Sequence, residues 1–183
     1  MVNAKQKGAN GEREVASLLQ PVVDRAYMET LGITQREVPK LQRNLLQTRE
    51  GGYDLVGLDW LALEVKRVEA VGASGQIRKG ALRGWWLQCV TAASKREVVD
   101  GQVVSRVVKE PVLFYRPNGV TWTVRMYGHL SIPDVNMGSF GVMRGKRVKA
   151  PVTVELEPFL VWLDLRIRHE LQGAGLGVQE QSV

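Results

Sequence analysis

Gly52-Tyr53-Asp54-Leu55-Val56 and, further on, Glu64-Val65-Lys66 decide how this chain reads, with nine residues between Asp54 and Glu64. Gly51-Gly52 is a turn signal. Tyr53 to Gly57 reads as a short strand and Trp60 to Val68 as its hairpin partner, joined through Gly57-Leu58-Asp59. Side chains alternate along a strand, so Leu61, Leu63 and Val65 are expected on one face and Ala62, Glu64 and Lys66 on the other. Neighbouring strands lie about 4.8 Å apart, close enough for Asp54 and Glu64 to bring carboxylates onto one divalent ion. Mg²⁺ prefers an octahedron of oxygens and usually takes only one or two carboxylates from protein, which leaves positions for water and a phosphate oxygen. Lys66 is expected in the same pocket, where an ammonium can orient or deprotonate an attacking water or neutralise charge in a transition state. An exposed hairpin with alternating charges is the alternative. Against it stands the context, a glutamate-bearing helix before the pattern and a basic helix after it.

Upstream, Gly11 to Gln20 is expected to be helical, with Val15, Leu18 and Leu19 at helical spacing and Glu12 and Glu14 favoured in the first turn by the helix dipole. Pro21 is expected to stop or bend this element, which resumes from Val22 to Leu31 before Gly32. Ile33 to Asn44 reads as an irregular connection and Leu45 to Thr48 as a first strand. Downstream, Gly72 to Gly75 is a flexible link, and Lys79 to Lys95 an amphipathic helix with Leu82, Trp85, Trp86, Cys89 and Val90 as its apolar set. Pro111 to Tyr115 reads as a buried strand, Pro117-Asn118-Gly119 as a turn and Val120 to Met126 as the partner strand. Gly128 to Pro151 is expected to form a long loop or weak hairpin, Val152 to Leu156 a short strand, and Glu157 to Leu171 a helix with Phe159, Leu160, Leu163 and Ile167 inward. The glycines of Gly173 to Val183 suggest a mobile tail, so a single domain is expected over residues 1–172. The order of elements points to α/β or α+β.

Composition agrees with a globular domain: 183 residues, 44% apolar and 24% charged, are ample for one core and exclude collagen-like, coiled-coil and wholly disordered chains. No apolar run approaches the ~18–20 residues that span a bilayer. Met1 to Lys7 lacks the apolar stretch of a signal peptide, so a cytoplasmic location is expected. Cys89 is the only cysteine, which leaves no internal disulfide and no multi-cysteine zinc site, and His129 and His169 have no ligand-like spacing. Any metal is therefore expected to be hard and oxygen-bound. The net charge of +6 is unevenly spread. Lys66 to Arg96 carries +6 and Arg116 to Lys149 carries +5, whereas residues 51–65 and 150–183 carry −3 each. A short acidic segment flanked by basic ones suits a protein that binds a polyanion and holds a cation at one point on it.

With these residues in place, the chain resembles the PD-(D/E)xK nuclease superfamily through Asp54, Glu64 and Lys66, with Gly52-Tyr53 where the family often has a proline. Lys7-Gly8-Ala9-Asn10-Gly11-Glu12-Arg13-Glu14-Val15 is similar to the first helix of archaeal-type Holliday junction resolvases, in which the first glutamate joins the metal site; that carries over to Glu12. The segment Arg43 to Gly52, continued by Tyr53-Asp54-Leu55, and Trp85-Trp86-Leu87-Gln88 resemble phage-encoded relatives. The likeness covers residues 7–125; the loop before Asp54 departs from it in lacking the serine that the archaeal enzymes place there, with Thr48 as the candidate stand-in, and the C-terminal third has no counterpart there. The resemblance implies a restriction-endonuclease-like α/β fold, a mixed central sheet flanked by helices, here with an added C-terminal helix. It implies a Mg²⁺-dependent endodeoxyribonuclease, with Mn²⁺ able to substitute. Its substrate would be branched DNA, cut by phosphodiester hydrolysis as a Holliday junction resolvase. Two symmetric cuts need two sites, hence a homodimer, acting in the host cytoplasm if phage-encoded. The same fold serves restriction and repair nucleases on duplex DNA. A non-catalytic basic DNA-binding protein with structural hairpin acids is the remaining alternative.

Under this reading Glu12, Asp54 and Glu64 hold metal and Lys66 helps activate water. Gln88 takes the place of a glutamine that related nucleases set near the metal. Arg43, Arg67, Lys79, Arg83, Arg144, Lys146 and Arg147 are the candidate DNA contacts, Lys79 and Arg83 lying a helical turn apart. Trp85 and Trp86 are expected to pack in the core rather than stack on bases, and Cys89 to be a small buried apolar residue.

Overall fold

A computed structural model describes residues 4–46, 52–68, 77–99, 102–127, 140–143, 146–149 and 151–179. In chain order the elements are α1 (Ala4–Leu31), β1 (Gln42–Arg43), β2 (Leu55–Val56), β3 (Leu61–Val68), α2 (Lys79–Ala92), β4 (Ser94–Val99), β5 (Gln102–Val107), β6 (Glu110–Pro117), β7 (Thr123–Tyr127), β8 (Phe140–Met143), β9 (Lys146–Lys149), β10 (Pro151–Glu155) and α3 (Leu156–Gln179). Six strands make one sheet in the order β1-β2-β3-β6-β7-β10, while β4–β5 and β8–β9 form two separate ribbons. Strands β3 and β6 run parallel. The other neighbours in this sheet are antiparallel. A parallel pair needs a crossover, and α2 with the β4–β5 ribbon supplies it.

The alternation expected for β3 organises the layers. Leu61, Leu63 and Val65 face one side and pack, with Val112, Phe114, Val124 and Met126, against Val15, Leu19 and Val23 of α1 and Phe159, Leu163 and Ile167 of α3. Phe114 sits at the middle of this cluster, its ring edge-on to Phe159 at 5.1 Å and to Trp122 at 6.3 Å. Burying each such side chain contributes about 1.5–3 kcal/mol. On the opposite face Trp86 and Cys89 of α2 pack on Leu113 and Tyr115 of β6. The expected α/β architecture, a mixed sheet flanked by helices with a C-terminal helix, is the one observed. Trp86 and Cys89 are buried as expected, and Trp85 packs beside them.

Several boundaries differ from the sequence reading, each for a physical reason. Helix α1 is unbroken through Pro21. The proline removes one backbone donor, and the burial of Val22, Val23 and Ala26 just beyond it holds the helix together. Because α1 begins at Ala4, Glu12 and Glu14 lie in its interior, not in a first turn. The first strand is Gln42–Arg43, ahead of the expected Leu45 to Thr48, of which residues 47–48 lie outside the described residues. Helix α2 ends at Ala92 rather than Lys95, because the carbonyl of Ala93 accepts the N–H groups of Val108 at 2.9 Å and Lys109 at 3.1 Å. These bonds close the base of the β4–β5 ribbon, which the sequence reading did not anticipate. Helix α3 continues past Leu171 to Gln179, so residues 173–179 of the expected tail are helical; residues 180–183 lie outside the described residues. Among the described residues no helix is long and apolar enough to cross a membrane.

Candidate functional site

Two glycines with positive φ flank β2, Gly52 at 122° before Asp54 and Gly57 at 129° in the turn to β3. At Gly57 a Cβ would stand 2.6 Å from the carbonyl oxygen of Lys40, so the chain entering β1 packs against the hairpin only where no side chain stands. Asp54 precedes β2 and is buried. Its N–H donates to the Leu63 carbonyl at 2.8 Å, and its carbonyl accepts the Asn44 N–H at 2.8 Å. Its carboxylate accepts the Val65 N–H at 2.6 Å, taking a β3 donor beyond the short β2. Asn44 also donates its side-chain amide to the Tyr53 carbonyl at 3.0 Å. Lys109 lies over the Tyr53 ring and donates to its hydroxyl at 2.6 Å. Asp54 is thus fixed from both sides by backbone.

Glu64 is fully buried, at 0% exposure, with Lys66 Nζ donating to its Oε1 at 2.5 Å. In register they oppose Leu113 and Tyr115, so both lie on the sheet face covered by α2, as the alternation predicted. Glu64 Oε2 is buried and has no hydrogen-bond partner among the described residues. Burial pushes the Glu64 carboxyl up to about 7; the charge of Asp54 adds to this and that of Glu12 does so more weakly, against the opposing pull of Lys66. Glu12 itself forms an ion pair with Arg43.

The remaining candidates fall on several elements. Gln88 is exposed on α2, beside the buried Cys89. Lys79 and Arg83 are exposed on the first turns of the same helix. Arg67 follows Lys66 on β3 and so lies on the opposite face, where its Nε donates to Asn118 at 3.2 Å. Lys146 and Arg147 fall on β9, while Arg144 and Thr48 lie outside the described residues. Sequence reasoning missed Asn44 and Lys109. Asn44 carried a signal, since asparagine readily bonds nearby backbone, and its Oδ1 does accept the Leu46 N–H at 3.2 Å. Lys109 reaches Tyr53 only through the fold. Sequence reasoning also read Glu14 only as a favourable charge in a helix turn; its carboxylate holds Arg116 at 2.5 Å and the Trp122 indole at 3.2 Å, tying α1 to β6 and the turn after it.

Among the described residues no group of three or more His, Cys, Asp or Glu side chains is gathered closely enough to hold a metal ion. What is gathered is a pair, Asp54 and Glu64, with Lys66, and with Glu12 held at the margin by Arg43. The pair still fits a hard divalent cation. Its donors are carboxylate oxygens, two are within what Mg²⁺ takes from protein, and the buried Oε2 of Glu64 is an acceptor that nothing described satisfies. No protein-family model, curated protein or solved structure matches the chain.

Proposed function

We propose that this protein is a metal-dependent DNA endonuclease of the PD-(D/E)xK type, cutting branched DNA as a homodimeric Holliday junction resolvase. The observation that carries the reading is the buried Glu64 with its unsatisfied Oε2, beside Asp54 and bonded to Lys66. An acid so placed costs stability, and a structural hairpin has no need of it. Asp54 and Glu64 would hold Mg²⁺, with Glu12 as the third acid. The ion, when bound, supplies Lewis acidity to a phosphodiester. The chain's own residues do the rest. The Val65 N–H fixes Asp54, burial under α2 keeps bulk water from Glu64, and Lys66 orients the attacking water and offsets the charge that develops on the phosphate.

The test offers a four-way junction, a fork and a linear duplex to the pure protein with Mg²⁺, Mn²⁺, Ca²⁺ or chelator. Cleavage is expected with the first two, favouring the junction, and binding with little cutting in Ca²⁺. Asp54→Asn is expected to abolish cleavage and to retain or tighten binding. Undiminished cutting in chelator overturns the metal reading; equal cutting of duplex moves the protein to the restriction or repair class.

A further inference from the structure

Arg43 stands where two demands meet. It lies on β1 opposite Leu55, one residue from the Asn44 amide that binds Asp54, and its guanidinium pairs with Glu12. Arg43 thus ties Glu12 of α1 to the strand that neighbours Asp54, whose carboxylate in turn accepts the Val65 N–H next to Glu64. The described cations beside these carboxylates are Lys66, on Glu64, and Arg43, on Glu12. Lys66 belongs to the buried pair. Arg43 is about one-third exposed, at 31%, so it borders solvent while its partner Glu12 is more enclosed, at 14%. A guanidinium binds carboxylate and phosphate through the same planar fork, and a partly exposed ion pair is weak enough for a second anion to displace.

We propose that Arg43 exchanges partners: in the free protein it neutralises Glu12, and on DNA binding it moves to a backbone phosphate and releases the Glu12 carboxylate to a cation held by Asp54 and Glu64. This rests on the nuclease reading above and adds to it an order of assembly. The cation site is incomplete until nucleic acid arrives, which guards Asp54 and Glu64 against holding a competent ion without substrate. Linkage makes the coupling reciprocal, so DNA tightens the cation by the factor by which the cation tightens DNA.

The experiment measures Ca²⁺ affinity by titration calorimetry on the full chain, free and saturated with a four-way junction, for wild type and Arg43→Gln. Ca²⁺ serves as the probe because little cutting is expected with it. In wild type, junction should tighten Ca²⁺ about 5-fold or more, the lower range of measured couplings. In Arg43→Gln the free protein should already bind Ca²⁺ several-fold tighter than wild type, and junction should add less. Glu12→Gln breaks the same ion pair from the other side and should weaken Ca²⁺ in the junction complex more than in the free protein. Unchanged Ca²⁺ affinity in free Arg43→Gln overturns the exchange. So does an equal shift in the free and bound states, which would mark Arg43 as a distant charge only. If junction and Ca²⁺ both bind wild type and these differences are absent, the exchange fails and the nuclease reading stands. If neither binds, both fail.

Discussion

Glu64 is an acid whose burial works against folding, and the sign of that effect can be followed with pH. Its carboxyl is raised from 4.5 to about 7 by burial and by Asp54. Between these values the folded chain holds a proton that the unfolded chain has lost, so stability falls as pH rises through the window and levels off above it. At 1.36 kcal/mol per pKa unit the full loss is about 3 kcal/mol. Glu64→Gln lacks this titration. In chelator, its unfolding free energy relative to wild type is therefore expected to rise by about 3 kcal/mol between pH 4.5 and pH 8, as read by urea denaturation. A difference that stays constant with pH would show that Glu64 is not strained in the metal-free fold. The same variant should lose Mg²⁺-dependent cleavage, a gain in stability set against a loss of function. Lys66 makes the complementary case. Lys66→Ala is expected to lower turnover on junction DNA by about 10²-fold or more, the scale for removing an electrostatic stabiliser, with a far smaller change in affinity; turnover near wild type would reduce Lys66 to a surface charge.

At the scale of elements, the hairpin that holds Asp54 depends on Gly57 in a way that Gly119 lets one measure. Both have positive φ, at 129° and 77°. A Cβ at Gly119 meets nothing within 4 Å, whereas at Gly57 it meets the backbone of Lys40 and Leu41. Gly119→Ala should cost only its conformational strain, about 1 kcal/mol, and Gly57→Ala roughly 2–5 kcal/mol through strain plus overpacking. Gly57→Ala should also weaken Ca²⁺ binding, because the hairpin carries Asp54; equal costs at the two glycines would contradict the close approach. This hairpin was legible in the sequence because Gly-Gly, the alternation of β3 and the Gly57-Leu58-Asp59 link are local signals. So were β6, β7 and the inward face of α3. The β4–β5 ribbon was not. Val98 and Val103 pair across it yet are each 73% exposed, so its described side chains form no buried face to impose a readable pattern. The unbroken α1 was hidden because a local breaker, Pro21, is overruled by packing on distant residues. That Asp54, Glu64 and Lys66 lie side by side was readable from spacing. The pairing of Glu12 with Arg43 was not, since it joins residues 31 apart in sequence through tertiary approach alone.

On the scale of the whole molecule, the proposed nuclease function needs a surface that would carry a DNA arm away from Asp54 and Glu64. Helix α2 covers the sheet face that holds Glu64 and Lys66, and it opens with Lys79 after Arg78, with Arg83 one turn on, all three exposed. Its first turn contains no acidic residue and Arg78 provides no side-chain cap. Cations at a helix N-terminus oppose the dipole, so this arrangement is unfavourable for the isolated helix and suits one that meets an external anion. If Lys79 and Arg83 contact phosphates, binding should weaken steeply with salt, each neutralised phosphate contributing roughly −0.9 to the slope of log affinity against log salt on duplex arms. Replacing both by alanine is expected to flatten that slope by about two units. Affinity should then fall for junction and duplex alike, because backbone contacts position a protein without reading sequence. Turnover at saturating DNA should barely change, since neither residue touches Asp54, Glu64 or Lys66. Fluorescence anisotropy over a salt series, in Ca²⁺ to suppress cutting, measures all of this. An unchanged slope in the double variant would move the DNA path off α2 and leave the basic 144–149 segment as the remaining candidate.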